Sequence, residues 1–254
     1  MPVLIDTHAH LDEIKDLDIA LVDARAHGVE TIIAVGQDLD SNRRVLEITR
    51  EYPGYVYAAL GLHPWLLGNL EMKQVQENID FISSHIGQAV ALGEVGLDYD
   101  KRVLKSAPKL KQQEVLTSLL KIAADENKPV SLHSRYAWKD CLQIVMEQKI
   151  KNVVFHWYTG LSSTLSQLLE AGYFISVTPA AEYHDEHRRA IREAPTSQLM
   201  LETDCPVYYG RENRYRSSPS DVLRSLKAAA FLKSIDEERL AEITTANARL
   251  YFGI

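Results

Sequence analysis

Side chains that bind metal ions recur in this sequence directly after short apolar runs, where buried strands would end. In His8-x-His10 the alternation of an extended strand points both imidazoles to one side, so that both can reach one ion. Because the 254 residues contain nine histidines, their repeated placement after such runs is improbable by chance. Imidazole nitrogens and carboxylate oxygens together suit a divalent ion. The predicted ligands are His8, His10, Glu94, His133, His156 and Asp204.

The remaining histidines and one cysteine have a different setting. His27 and His85 each come shortly before a glycine at the end of a helical segment, where a cation suits the helix dipole, so we expect structural roles. His184 and His187 stand in Tyr-His-Asp-Glu-His, which is not the HExxH pattern and predicts a solvated helix start. Cys205 adjoins a predicted ligand, but no partner base is evident, which favours packing over a nucleophilic role.

The elements that must position these ligands are eight short apolar runs. They are rich in Val, Ile, Leu and Ala without alternation, which is the pattern of strands covered on both faces in a parallel sheet. Polar segments with apolar residues at helical spacing lie between the runs, for example at 108–127. The runs span residues 3–5, 31–35, 55–60, 89–92, 130–132, 153–155, 174–177 and 199–201.

The number and order of these units predict an α/β fold, a single (β/α)8 TIM barrel. In such a barrel the carboxyl ends of all strands lie on one face, so the predicted metal site would lie at the C-terminal ends of the strands. A doubly wound open sheet is the alternative fold. We expect one domain over residues 1–254, because no linker, low-complexity tract or repeat interrupts the sequence.

Several helix ends are marked by residues with capping preferences. Asp40 or Ser41 is the expected N-cap of a helix near 42–50. Gly28 and Gly172 are expected just beyond the ends of two other helices. Two C-terminal helices, near 220–233 and 236–251, would complete the fold.

The overall composition narrows the class of protein. The 28 Lys+Arg against 35 Asp+Glu give a formal charge of −7, which argues against a protein that coats nucleic acid by bulk positive charge. No apolar run approaches the roughly 18 to 20 residues of a membrane helix, so we expect no membrane partner. The N-terminus lacks the features of a signal peptide, and the sequence has two cysteines, so we expect a reducing, cytoplasmic location.

Sequence blocks spread over nearly the whole chain carry a resemblance to a known family. They are DTHAHLD at 6–12, GLHP at 61–64, GEVGLDY at 93–99, HSR at 133–135, HWYTG at 156–160, ETDCP at 202–206 and TANARLYF at 245–252. Through these blocks the sequence resembles the TatD family of metal-dependent deoxyribonucleases, a branch of the amidohydrolase-like TIM barrels. The resemblance implies hydrolysis of phosphodiester bonds in nucleic acid, most readily DNA, by water activated with two divalent ions, Zn²⁺, Mn²⁺ or Mg²⁺.

The resemblance also implies roles for the ligands. His8 and His10 would hold one ion with Asp204, His133 and His156 would hold the second, and Glu94 would bridge the two. Glu94 stands where many binuclear amidohydrolases carry a carbamylated lysine, which favours the TatD branch. Glu94 and Asp204 are the predicted catalytic residues, and Asp204 has two candidate duties, as ligand and as acceptor of the proton of the attacking water. Glu202 and Asp6 are expected to orient ligand imidazoles.

Substrate binding is predicted from residues that follow the same strands. Arg135, two residues beyond His133, is the predicted phosphate contact, because a guanidinium can bond two phosphate oxygens at once. His63 is the second predicted substrate-binding residue. A basic mouth would be formed by Lys101, Arg102, Lys105, Arg211, Arg214 and Arg216, and bases of a single strand would stack on Trp65, Trp157, Tyr208 and Tyr209.

Two departures from the family pattern bear on the substrate. Trp65 stands where many members carry a second histidine, so we expect a polar contact to be lost there. The segment at 214–219, RYRSSP, keeps the proline of the family pattern but loses its Asn and Glu.

Two other functions remain open on the sequence. The same centre could attack a carbonyl carbon, which would make the protein an amide or ester hydrolase, such as a deacylase of aminoacyl-tRNA. A non-catalytic metal-binding scaffold is the other alternative, and the complete ligand set argues against it, since loss of catalysis would relax at least one position.

Overall fold

The computed structural model describes residues 2–254, in which parallel strands alternate with helices. Eight strands form one sheet in the sequential order β1 to β8, and each pairs in parallel with the next. They are β1 (Leu4–Ala9), β2 (Val29–Val35), β3 (Val56–Leu60), β4 (Ala91–Gly96), β5 (Val130–His133), β6 (Val153–Phe155), β7 (Phe174–Val177) and β8 (Leu199–Leu201). A two-stranded antiparallel ribbon, β9 (Tyr208–Tyr209) and β10 (Tyr215–Arg216), follows β8.

Helices cover the outside of this sheet. They are α1 (Leu17–Ala26), α2 (Leu39–Glu51), α3 (Met72–His85), α4 (Lys101–Leu104), α5 (Lys109–Asp125), α6 (Trp138–Glu147), α7 (Ser162–Glu170), α8 (Asp185–Glu193), α9 (Val222–Lys233) and α10 (Glu237–Phe252). Short 3-10 turns occupy Leu11–Glu13, Leu66–Asn69, Ile86–Gln88, Pro179–Glu182, Thr196–Gln198 and Pro219–Asp221. Of the helices within residues 2–254, none has the length and hydropathy needed to cross a membrane.

The first and last strands meet and nearly close the barrel. A parallel bridge joins Ala9 to Cys205, just beyond β8, and the amide of His10 donates to the Cys205 carbonyl at 2.8 Å. The amide of Asp204 donates to the carbonyl of His8 at 2.9 Å. This closure and the sequential strand order confirm the predicted barrel and exclude the doubly wound open sheet.

The strands are buried on both faces, as their unbroken apolar runs require. One face packs against the helices, and the other forms a cluster inside the barrel that includes Ile5, Ile33 and Met200. Tyr251 and Phe252 at the end of α10 join this inner cluster. The Tyr251 hydroxyl donates to the carbonyl of Val130, the first residue of β5, at 2.8 Å, so α10 covers the N-terminal end of the barrel and leaves the other end for the site.

One predicted helix start is wrong and two predicted helix ends are confirmed. The N-cap of α2 is Asp38 rather than Asp40 or Ser41, because the Asp38 carboxylate accepts from the Ser41 amide at 2.9 Å, and the helix therefore begins at Leu39 rather than near residue 42. Gly28 and Gly172 lie just beyond α1 and α7 with φ of 86° and 81°, a conformation that glycine adopts without the clash of a Cβ.

Candidate metal centre

Glu94 lies at the centre of a cluster of imidazoles at the C-terminal end of the barrel. Its Oε2 is 3.3 Å from His8 Nε2 and 3.6 Å from His10 Nε2, both carried by the segment that ends β1. Its Oε1 faces the other side and lies 2.8 Å from His133 Nδ1, 3.2 Å from His156 Nε2 and 3.4 Å from His63 Nε2. Each carboxylate oxygen of Glu94 therefore faces a separate group of nitrogens.

Asp204 completes the first of these groups. Its Oδ1 lies 3.3 Å from His10 Nε2 and 3.8 Å from His8 Nε2. Asp204 has a φ of 50°, in the left-handed region that non-glycine residues seldom adopt and that costs on the order of 1 to 3 kcal/mol. The barrel closure at His8 holds this backbone conformation, and it brings the carboxylate to the imidazoles.

The donor atoms fit divalent ions. Two ligands about 2.0 to 2.1 Å from a tetrahedral ion are separated by about 3.4 Å, which is close to the spacings around Glu94 and Asp204. His8 Nε2 is buried and has no hydrogen-bond partner among the described residues. Because an unpaired buried polar atom destabilises a fold, this nitrogen is available to bind an ion. The predicted ligands His8, His10, Glu94, His133, His156 and Asp204 are thus brought together by the fold.

The second nitrogen of several imidazoles is held by a neighbouring side chain, as is typical of histidines that bind metals. His156 Nδ1 lies 3.2 Å from Glu202 Oε1, as the sequence predicts, and His8 Nδ1 lies 3.1 Å from Ser131 Oγ. The expectation for Asp6 is wrong. Its carboxylate accepts from the backbone amide of His8 at 3.3 Å and from Thr203, because a short side chain two residues earlier on the strand reaches the amide rather than the ring.

The charges in this cluster shift its pKa values. Burial raises the pKa of Glu94, but electrostatic interactions with the surrounding imidazoles, first of all those of His63 and His156, outweigh burial and hold that pKa well below its usual range. Burial lowers the pKa of His10, and its hydrogen bond and charge interaction with Asp204 more than compensate, raising the pKa to about 9. Burial dominates at His63 and lowers its pKa to about 4, so this imidazole is neutral at physiological pH.

Gly61, after β3, leaves room for the backbone of Glu94. A Cβ at Gly61 would lie 2.3 Å from the Glu94 carbonyl oxygen and 2.5 Å from its amide nitrogen. Asn42 of α2 holds the Gly61 backbone in this position, since its side chain donates to the Gly61 carbonyl at 2.8 Å and accepts from the Gly61 amide at 2.9 Å. The position of Glu94 therefore depends on glycine at 61.

We expect Gly61→Ala to displace Glu94, lower the metal content and reduce the free energy of unfolding by about 1 to 3 kcal/mol, because the added methyl overpacks a closed site. Gly87→Ala is the matched control, because a Cβ at Gly87 has no heavy atom within 4 Å. Elemental analysis and thermal unfolding of both variants check this result. Equal metal content in the two would contradict the tight approach at Gly61.

The site opens into a cleft of about 990 Å³. Of the predicted substrate-binding residues, His63, Arg135, Trp65 and Trp157 line it. Tyr209 does not, because it is fully buried and its hydroxyl donates to the Thr203 carbonyl at 2.8 Å. The cleft lining also contains Tyr136, Trp138, Leu161 and Arg189, which were not singled out from the sequence because their loops approach one another only in the folded barrel.

The predicted basic mouth is largely wrong. Within the described residues that line the cleft, none of Lys101, Arg102, Lys105, Arg211, Arg214 and Arg216 occurs, and neither does Tyr208. Several of these side chains are engaged elsewhere. Arg102 pairs with Asp100 at 3.0 Å, and Arg211 donates to the Tyr183 carbonyl at 2.7 Å.

Comparison with known proteins assigns the chain to a family. A sequence model of the family described as TatD related DNase matches residues 5–253. The chain belongs to this family. It is 30% identical to the human protein named deoxyribonuclease TATDN3 over 98% of this chain and 94% of that protein. It is 32% identical to YabD of Bacillus subtilis, named an uncharacterized metal-dependent hydrolase, over 99% and 100%.

A solved structure supports the same assignment. The crystal structure of YjjV of Escherichia coli K12, described as a TatD homolog, matches with a TM-score of 0.88 at 26% identity over 99% of this chain and 98% of that one. The predicted family and fold are therefore both confirmed.

In this TatD-family protein the tryptophan at 65 retains a polar contact, contrary to expectation. The indole Nε1 donates to Asp98 Oδ2, and that oxygen also lies 2.8 Å from His133 Nε2 and 2.8 Å from Arg135 Nε. The Asp98 Oδ1 accepts from the Asp100 amide at 2.7 Å. Asp98 is fully buried, so one carboxylate is hydrogen-bonded to an imidazole of the metal centre and to the indole of Trp65 and forms an ion pair with the guanidinium of Arg135. Asp98 was not among the predicted site residues, and the one indication of its role in the sequence is its position four residues after Glu94 in the block at 93–99.

The Asp98 carboxylate lies 2.8 Å from His133 Nε2 and favours a proton on that nitrogen, which would leave the Nδ1 lone pair free to bind an ion. We expect Asp98→Asn to weaken metal binding by about 10- to 100-fold, since the amide no longer fixes this tautomer. Asp100→Asn is the matched control, because Asp100 approaches Arg135 at 3.8 Å but is not hydrogen-bonded to His133. Competition with a chromophoric chelator measures both affinities, and equal values would contradict the role of Asp98.

The other histidines of this TatD-family protein lie outside the cluster. His187 is buried rather than solvated, since its Nδ1 lies 2.9 Å from the Tyr158 carbonyl and its Nε2 accepts from the Thr178 amide at 3.2 Å; burial lowers its pKa to about 4. His184 caps α8 at the rim of the cleft. His27 and His85 each contact the carbonyl four residues earlier in their helices, and Cys205 is buried.

Proposed function

We propose that this protein is a metal-dependent phosphodiesterase that hydrolyses DNA, and that residues 1–254 act as one hydrolase domain. The observation that carries the proposal is Glu94, whose two carboxylate oxygens face two separate groups of nitrogens. Such a carboxylate suits a bridge between two ions of the kind that serve phosphoryl transfer. The name of the human relative, a deoxyribonuclease, supports DNA as the substrate.

His8, His10 and Asp204 would hold the first ion and His133 and His156 the second, and Glu94 would offer one carboxylate oxygen to each. Zn²⁺, Mn²⁺ and Mg²⁺ are the candidate ions, and the four imidazoles favour the first two. When bound, the ions would supply positive charge that lowers the pKa of water and stabilises the charge of the phosphoryl transition state.

His63 is assigned to the substrate rather than to an ion. Its Nδ1 accepts from the Trp65 amide at 3.2 Å, so the neutral imidazole carries its proton on Nε2. That N–H points toward Glu94 Oε1 at 3.4 Å and is available to donate to a phosphate oxygen. A nitrogen that carries a proton is not a metal ligand.

Arg135 and Asp204 complete the chemical roles of the chain. Arg135 Nε faces Asp98, so the phosphate would meet the Nη side of the guanidinium. In the hydrolysis the oxygen of water attacks phosphorus, the bond from phosphorus to the leaving oxygen breaks, and an Asp204 carboxylate oxygen takes the proton from the water. The leaving oxygen takes a proton from solvent.

The location is proposed from the cysteines. Cys141 and Cys205 are both free thiols buried in the fold. This state suits the reducing cytoplasm, which we propose as the compartment of the protein.

The test is an assay of metal-depleted protein reloaded separately with Zn²⁺, Mn²⁺ or Mg²⁺. Substrates are labelled single-stranded DNA, duplex DNA, RNA and an aminoacyl ester. The expected result is metal-restored cleavage of DNA. Turnover of the ester alone would replace the proposal with a carbonyl hydrolase, and bound metal without turnover of any of these substrates would favour a metal-binding scaffold.

A further inference from the structure

The loop between β5 and α6 presents three different chemical groups to the cleft within four residues. His133, the last residue of β5, faces Glu94 at 2.8 Å. Arg135 and Tyr136 follow in a turn, and all three residues line the cleft. Arg135 and Tyr136 are consecutive residues and both face the cleft, so their side chains present a cation and an aromatic ring to the same space.

The backbone of Tyr136 has an uncommon conformation, and Tyr136 is not part of the hydrophobic core. Its φ is 58°, in the left-handed region that is an outlier for a bulky residue. Tyr136 is 60% exposed, so burial does not offset the conformational cost. Outliers of this kind cluster where proteins bind ligands.

The Tyr136 ring rests on a rigid support. It packs edge-on against Trp138 with ring centroids 5.9 Å apart, and Trp138 in turn packs on the hydrophobic core. Gly160 approaches Trp138 so closely that a Cβ there would lie 2.6 Å from its Cγ, and exposed Leu161 extends the same wall of the cleft. This arrangement leaves the phenol ring fixed at its base and open to the cleft.

We propose that Tyr136, supported by Trp138, is a stacking site for an unpaired nucleobase of the DNA strand whose phosphate Arg135 binds. The inference rests on the proposed function and narrows it, because a paired base is already stacked in the duplex and does not offer its face to a side chain. A planar ring next to a guanidinium matches a base next to its phosphate. The substrate class is therefore a single-stranded segment or a frayed end.

The experiment compares two oligodeoxynucleotides that differ only in having bases or abasic sugars near the cleaved phosphate. We expect the protein to prefer the base-bearing strand in kcat/KM by about 5- to 150-fold, the range that corresponds to stacking of one base. Tyr136→Asn removes the ring and keeps a residue that tolerates left-handed φ, so the variant should fold and lose most of this preference. Tyr136→Phe keeps the ring and should keep the preference.

Phe231→Asn is the matched control, because Phe231 is a 76% exposed aromatic residue on α9, outside the cleft. Binding is followed separately, without turnover, by the quenching of a fluorescent base analogue placed in the strand. Quenching by the parent and by Tyr136→Phe but not by Tyr136→Asn supports the proposal. Equal quenching by all variants, or equal cleavage of both strands by the parent, overturns it and leaves phosphodiester hydrolysis standing. Failure of the parent to cleave either strand counts against the proposed function, and the quenching result then still decides the stacking site.

Discussion

Glu94→Gln is expected to reduce DNA hydrolysis by at least about 1,000-fold, which corresponds to about 4 kcal/mol of transition-state stabilisation, while leaving metal on the protein. Glutamine has a single acceptor oxygen and carries no charge, so it cannot serve both groups of nitrogens that the two oxygens of Glu94 face. The group of His8, His10 and Asp204 does not depend on Glu94 for its three ligands. Elemental analysis beside a phosphodiesterase assay should therefore find about one ion per chain and very low activity.

Glu242→Gln provides the control, because Glu242 is an exposed carboxylate that pairs with Arg239 on the same helix. It should retain parental metal content and activity. Two results would contradict the assignment at Glu94: full activity of Glu94→Gln would remove the two-ion centre, and loss of all metal would remove the first ion from His8, His10 and Asp204.

Arg135→Ala is expected to lower kcat/KM for DNA by about 30- to 1,000-fold, the effect of about 2 to 4 kcal/mol that a charged hydrogen bond contributes in a transition state. Bound metal should be unchanged, because the guanidinium contacts Asp98 rather than the ligand atoms. Arg135→Lys should recover little of the rate, since an ammonium lacks the planar fork that binds two phosphate oxygens. Steady-state kinetics, metal content and the melting temperature are measured together.

Arg239→Ala, an exposed arginine on α10, is the matched control and should leave all three quantities unchanged. A purely structural arginine at 135 would show a different pattern. The melting temperature would fall, and the specific activity of the folded fraction would stay at the parental value.

The sequence predicted the parts of this molecule that depend on local pattern. Strands buried on both faces leave unbroken apolar runs, so all eight were predictable, and residues at their carboxyl ends must converge when a barrel closes. Glu94 and His133 lie 39 positions apart in the sequence and 2.8 Å apart in space for this reason.

Contacts between loops could not be predicted in the same way. Tyr136 looks like an ordinary aromatic residue in the sequence, and Trp65 was expected to lose a polar contact. Only the folded chain shows Tyr136 exposed beside the site and Trp65 hydrogen-bonded to Asp98. Tyr209 and His187 were predicted to be exposed, because the segments around them are polar. Both are buried by tertiary packing. Asp6 shows that a carboxylate near a metal ligand in the sequence can be hydrogen-bonded to backbone amides instead of to the ligand's ring.

The seam between β1 and β8 determines when the site can exist during folding. Asp6 reaches Thr203 across 197 positions, and the amide of Asp204 bonds to the carbonyl of His8. Forming a contact between residues so far apart in sequence costs conformational entropy, so we expect it to form late in folding. The donor set of His8, His10 and Asp204 is therefore complete only after β8 has paired with β1. An ion that binds only the closed barrel stabilises it by mass action. Opening of this seam would separate Asp204 from His8 and His10, so an ion bound to these three residues should oppose that opening.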